Sequence, residues 1–348
     1  MVYWLLVLQL VVPTSLLLAL AVARVPSRAA WSAGFAATTA VLILLALTGL
    51  WLVPPAWTLL VYLIGWVIAA WLGVRRWPSL TARPRSRGQW VLVVSATALT
   101  VYAAREALGA WRGQQQPAGA ALELAFPLRD GRYLVLNGGD DVRINAHLKT
   151  RDASVPRFAR WRGNGYAVDI VALDQLGARA RGLRPSANVD YEIFGREVIA
   201  PCEGVVIDVI DRLPDMTPPQ YDTAGRLAGN HVVLGCDGYH VLLAHLREGS
   251  IRVRPGEQVA EAQLLAQAGN SGGSDEAHLH IHVQRPGSVN EPFSGAPVPA
   301  TFQGRFLVRG HAVSVARDGT LRVSHAAVSW LQRSSADAHA VHTSGARR

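Results

Sequence analysis

The apolar residues of this 348-residue chain are crowded before residue 105, and that crowding limits the possible folds more than any motif does. Residues 2–23, 29–53 and 57–74 each supply about the 20 apolar positions that an α-helix needs to cross the hydrocarbon core of a bilayer. A fourth run, residues 90–104, is shorter and stops at Arg105-Glu106. It spans only if the Arg105 stem snorkels to the interface, and is otherwise an interfacial or buried helix. Residues 2–23 lack the basic leader of a secretory signal and are followed by further spans, so they read as a first membrane helix. With 50% hydrophobic residues, the chain is too apolar for an ordinary soluble protein of this length.

The flanking charges predict an orientation. The connection after the first run carries Arg24 and Arg28, the one after the second (Pro54-Pro55-Ala56) carries none, and the one after the third carries Arg75, Arg76, Arg83, Arg85 and Arg87. By the positive-inside rule the first and third connections face the cytoplasm, so with four spans everything after residue 105 lies outside. The expectation is a multi-pass protein of the cytoplasmic membrane, its helical region set in the lipid bilayer. The first three runs are read as having no polar or charged residue well inside them, which argues against an ion or proton path and leaves anchoring as their task. A sensor or scaffold whose spans carry the function is the competing reading. The net charge of +9 is nearly all arginine, Lys149 being the only lysine, and no interleaved basic and aromatic cluster suggests a nucleic-acid partner.

The chain divides into a transmembrane helical region (1–104), a polar tether (105–121), a second unit (122–330) and a tail (331–348) without hydrophobic period. His339 and His342 are expected to be solvated there, in disordered chain. In the second unit short β-prone runs alternate with turn signals: residues 133–136, 198–200, 204–210, 231–234, 239–246, 251–253, 278–284 and 305–308. This spacing predicts a mainly-β unit with few helices. Residues 213–228, broken by Pro214, Pro218, Pro219 and Gly225, read as a loop long enough to rim a groove. Cys202 and Cys236 fall in the part placed outside, where thiols oxidise; a disulfide and two unrelated thiols are equally open, and neither sits in a metal-ligand spacing.

Chemistry concentrates at His278-Leu279-His280-Ile281-His282. On a strand, alternation puts the three imidazoles on one face and Leu279, Ile281 and Val283 on the other, so that one face packs and the other is free to hold a metal. A catalytic zinc takes three protein ligands, an open position for water and a nearby group to manage the proton. His147, His231, His240, His245, His278, His280, His282 and His311 are all candidates. Asp169 interrupts the apolar run Tyr166-Ala167-Val168-Asp169-Ile170. It is either buried against a cation and hydrogen bonds or sits at a strand edge open to water.

Four motifs, in order, complete the picture: Val198-Ile199-Ala200-Pro201 with Gly204-Val205-Val206; Gly229-Asn230-His231-Val232-Val233-Leu234; Tyr239-His240-Val241-Leu242-Leu243-Ala244-His245-Leu246; and Gly269-Asn270-Ser271-Gly272 with His278-Leu279-His280. In order and spacing they resemble the LytM/lysostaphin-type zinc metalloendopeptidases, over about residues 122–310. The resemblance implies a mainly-β, two-sheet metallopeptidase domain with a groove, a Zn2+ cofactor, and peptidoglycan peptides as substrate. It implies His280 and Asp169 as zinc ligands, and His278 and His245 as the catalytic histidines. The family's common HxxxD pattern fails here, because Gly165 stands four residues before Asp169. His147, ahead of a Tyr-Ala-hydrophobic-Asp segment, is the expected third ligand, with His231 in reserve. His231 and His240 are otherwise expected to serve the sheet, and His282 to support the ligand beside it. The alternative is a catalytically inactive LytM-like module that binds cell wall or activates another hydrolase.

Overall fold

The computed structural model describes residues 2–22, 27–288 and 291–326; the tail with His339 and His342 lies outside the described residues. The chain forms two compact units, the first within Met1–Arg112 and the second Gly113–His325.

Four helices in the first unit are long and apolar enough to cross a membrane: Tyr3–Val22, Arg28–Thr48, Thr58–Ser79 and Arg87–Arg112. Ser27 caps the second, its hydroxyl accepting from the Ala30 amide at 3.3 Å. Ala30, Ala37, Ala69, Ala103 and Ala110 are buried together with Leu17, Leu20, Trp51 and Tyr62, while many other large apolar side chains are exposed. The expectation of no polar residue inside the first three runs is corrected by Gln9, which is buried in the first helix, donates to the Val53 carbonyl at 3.2 Å and accepts from the Trp51 amide at 3.4 Å. It satisfies backbone groups where the chain leaves helical geometry around residues 49–57. The fourth helix runs on to Arg112, so the stretch read as the start of a loop-like tether from residue 105 is helical at first.

The second unit is β-rich. Its main sheet is antiparallel throughout and has ten strands. Along it, Leu321–His325, His311–Val315, Gly131–Asn137, Val168–Ala172, Leu279–Gln284, Tyr239–Leu246, Asn230–Cys236 and Gly204–Ile210 pair in that order, with two short strands, Gln258–Val259 and Pro297–Val298, at the side. Two smaller sheets join Leu122–Leu124 to Ala300–Phe302 and Arg305–Phe306, and Glu197–Ile199 to Leu264–Gln267. Among the described residues the unit is thus built from several β-sheets, the mainly-β architecture that the resemblance implies. Residues 251–253 are not a strand: Arg252 makes one cross-chain backbone bond, to the Leu265 carbonyl at 2.8 Å, and the run has no continuous ladder.

Strand alternation decides the faces. Leu279, Ile281 and Val283, with Val241, Leu243, Val232, Leu234, Val168 and Ile170, belong to one continuous core. The opposite face carries a smaller apolar group of Ala228, Val233, Leu242 and Ala244, packed against Trp161 and Phe293. Cys202 and Cys236 form a disulfide. It ties the turn before Gly204–Ile210 to the end of Asn230–Cys236, closing a 34-residue excursion.

Candidate functional site

Register builds the centre. His280 pairs directly with Asp169 on one side and with Ala244 on the other, and His245 follows by one residue. Directly opposed side chains on one sheet face stand about 5 Å apart at Cβ, within reach of a shared ion.

Asp169 is buried. One carboxylate oxygen, Oδ1, lies 2.9 Å from His280 Nδ1 and 3.7 Å from His278 Nε2. The other, Oδ2, lies 2.9 Å from His147 Nε2 and accepts from Asn137 Nδ2 at 2.7 Å. Of the two environments open to this acid, the buried, hydrogen-bonded one is found.

His147 is 22 residues from Asp169 in sequence, and a local device brings it in. It sits in the short helix Ala146–Arg151, whose N-cap Asn145 accepts from the His147 amide at 3.2 Å. The buried Asn145 amide also donates to the carbonyls of Gly139 and Ala167 at 3.1 Å each, tying that turn to the strand that carries Asp169. Gly165 has no room for a histidine, since a Cβ there would lie 2.7 Å from Arg151 Cγ and 2.9 Å from Pro297 Cγ. Packing fills the place that the HxxxD pattern would use.

One donor atom from each of His147, Asp169 and His280 can be chosen so that all lie within 4.8 Å of one another. A tetrahedral zinc ion with bonds of about 2.0–2.2 Å to nitrogen and oxygen sets its ligand atoms about 3.4 Å apart. The donor chemistry, two imidazoles and one carboxylate, and the spacing both fit such an ion.

Two further imidazoles border the triad. His245 and His278 rings lie 4.6 Å apart, and the His245 and His280 rings 5.7 Å. His245 Nδ1 is 2.9 Å from the Ser271 carbonyl, and His278 Nδ1 is 3.0 Å from the Glu276 carbonyl. A carbonyl only accepts, so each ring carries its proton on Nδ1 and keeps a lone pair on Nε2. His245 also holds φ at 60°, a left-handed conformation costly for a residue with a Cβ.

Burial favours neutral rings at His245 and His280. Burial pushes His245 well below the ordinary histidine range, helped by the charges of His278 and His280, and it lowers His280 despite the Asp169 carboxylate. Burial opposes charge at Asp169 and His147 too. Their close pairing outweighs it, so Asp169 falls well below the usual carboxylate value and His147 rises.

The remaining histidines divide. His282 is on the same face, its Nδ1 3.0 Å from His280 Nε2. His231 donates from Nδ1 to the Gly229 carbonyl at 2.8 Å, and Phe293 stands edge-on to it; it is not one of the donors gathered at Asp169. His240 lies opposite Gln284 and Gly235, and His311 opposite His325 at the far side of the sheet.

Supporting residues carried no sequence signal of their own. Arg309 Nη2 donates to Asn137 Oδ1 at 2.8 Å, which leaves the Asn137 amide nitrogen to face Asp169. A buried, bidentate Arg179–Glu276 pair, at 2.9 and 2.8 Å, fixes the segment whose carbonyl receives His278. The sheet face opens into a cleft of about 660 Å³, with Arg157, Phe158, Arg160 and Trp161 on one wall and Gly225, Leu227 and Ala228, the end of the long loop, on another.

Peptidase family M23 matches residues 184–293, a segment that includes His245, His278 and His280 but begins after His147 and Asp169. No curated protein matches the chain. Among solved structures, it is similar to a zinc containing peptidase from Vibrio cholerae (20% identity over 34% of this chain and 46% of that one, TM-score 0.21). It is also similar to the catalytic domain of lysostaphin from Staphylococcus simulans (16% identity over 37% and 74%, TM-score 0.24). The chain thus spans less than half the length of the first. On the strength of the matched segment, this chain carries a peptidase domain of family M23.

Proposed function

We propose that this protein is a membrane-anchored zinc metalloendopeptidase that hydrolyses peptide bonds of peptidoglycan, its four apolar helices spanning the cytoplasmic membrane and its M23 domain lying outside. The observation that carries this is the convergence of His147, Asp169 and His280 next to the imidazoles of His245 and His278, each held at Nδ1 by a backbone carbonyl. His147, Asp169 and His280 would hold the zinc. When bound there, the ion supplies Lewis acidity and lowers the pKa of a water toward about 7.

The chain's own residues do the rest. His245 and His278 are the catalytic histidines, one taking a proton at Nε2 and one stabilising oxyanion charge. The Ser271 and Glu276 carbonyls hold both rings by Nδ1 and leave Nε2 facing the centre, where a ring that has taken up the proton is the form that stabilises the oxyanion. His282 orients His280 through the bond between its Nδ1 and His280 Nε2. Asn137 and Arg309 hold the Asp169 carboxylate in place. Orientation across the membrane follows the arginine bias of the connections. The inactive-module alternative took its support from the missing HxxxD, and a histidine supplied from 22 residues upstream weakens it.

The test uses full-length protein in detergent. Elemental analysis is expected to find about one zinc per chain, and purified peptidoglycan to be cut to soluble muropeptides by the wild type but not by His280→Ala or His147→Ala. Metal-free, inactive protein at neutral pH would overturn the hydrolase assignment, and full activity in His147→Ala would remove that residue from the centre.

A further inference from the structure

The arginines around the cleft fall into two groups. Arg226 pairs with Asp222 at 2.7 Å, Arg143 with Asp141 at 2.9 Å and Arg151 with Asp140 at 3.5 Å. Arg157 and Arg160, exposed on the cleft wall, have no acidic partner among the described residues. The only neighbour recorded for either is the Phe158 ring, 5.1 Å from the Arg157 guanidinium. The cleft lining contains two guanidiniums and no carboxylate. The wall that bears them has a firm backing, since Trp161 stacks on Phe293 with ring centroids 5.4 Å apart and planes 15° from parallel. It also shares with His147 the excursion that leads to Asp169, so both arginines lie on the same cleft as the triad.

We propose that Arg157 and Arg160 select peptides with a free carboxylate close to the bond that is cut. This rests on reading the cleft as the substrate groove of a hydrolase. A guanidinium already engaged by an internal acid has little to offer a ligand, whereas two unengaged ones beside an uncharged, partly aromatic surface favour a carboxylate and disfavour its amide. Because both side chains are exposed, the preference weakens as ionic strength rises.

The experiment compares purified peptidoglycan with the same material after its free carboxylates are converted to amides with carbodiimide and ammonia. Zinc-loaded, full-length protein in detergent is expected to release soluble fragments from intact material about tenfold faster, equivalent to about 1.4 kcal/mol of discrimination. The double variant Arg157→Gln/Arg160→Gln, checked for unchanged zinc content, is expected to bring that ratio close to one, chiefly by slowing on intact material. Lysine at both positions should restore part of the preference. Equal wild-type rates on the two materials, or an unchanged ratio in the double variant, would overturn the proposal and leave the hydrolase reading standing. Co-sedimentation with each material in the presence of a chelator separates the two failures. Absent cleavage with carboxylate-dependent, arginine-dependent binding removes the hydrolase reading and keeps the ligand preference. Absent cleavage with indifferent binding removes both.

Discussion

The two units differ most in what they leave outside. In the β unit the large apolar side chains, Leu234, Leu243, Ile170 and Phe302 among them, are inside. In the helical unit Ala69, Ala103 and Ala110 are inside together with Trp51, Leu20 and Tyr62, while Trp4, Leu63, Ile64 and Val91 are outside. Water rewards burying area, so the β unit turns its bulk inward. A hydrocarbon solvent offers no such reward, and close helix contact through small residues then contributes more to the packing. One chain therefore holds two folding logics, and the boundary between the units falls after Arg112.

The largest effect should come from separating the two logics at the centre. Asp169→Ala is expected to abolish zinc binding and lower peptidoglycan release by at least about a hundredfold, while the protein still sediments with membranes. Metal analysis, muropeptide release and alkaline membrane extraction would show it.

A matched pair of truncations tests the burial contrast itself. Leu243→Ala, at a fully buried position (0% exposed), is expected to cost about 2–5 kcal/mol in denaturant unfolding of the β unit. Leu63→Ala, 56% exposed, should cost less than about 1 kcal/mol in detergent. Equal losses would break the comparison. Ile64→Arg, at an outward position 60% exposed, should instead act through the bilayer, with a cost of about 2.5–3.5 kcal/mol that is read as a loss of alkali-resistant membrane protein.

A further contrast, confined to the β unit, is in acid stability. Burial, with the charges of His325 and Arg305, lowers His311 to about 4. The unfolded chain takes up this proton near pH 6.5 and the folded one only near pH 4. Stability is thus complete above the unfolded value, falls as pH drops from about 6.5 to 4 and then levels, by up to about 3 kcal/mol. His311→Gln should flatten urea-denaturation midpoints across that window; an unchanged slope would show that other groups set it.

The sequence was most readable where one short period controls the outcome. Alternation alone assigns Leu279, Ile281 and Val283 to the core and His280 and His282 to the other face, because strand geometry admits no third choice. Apolar length alone identifies the first three helices and leaves the fourth, Arg87–Arg112, open between a span and an interfacial helix. The helix end at Arg112 escaped because a hydropathy reading stops at charge, whereas alanine, leucine, glutamate and arginine continue a helix well. Strands at His311–Val315 and Leu321–His325 escaped since they are fixed by the partner across the ladder, which no local pattern names. The bond from Asn145 to Ala167 that brings His147 home is a contact across 22 residues, and loop closure leaves no period to detect.

That closure has one more consequence. Residues 148–168 leave the centre at His147 and return to it at Asp169, and the cleft wall hangs between these two anchors. An ion gripping both anchors would pin the ends of the excursion, so metal affinity and wall order are thermodynamically linked. Lengthening or shortening this excursion should thus be felt first as altered retention of the ion, well before the sheet beneath it registers any change.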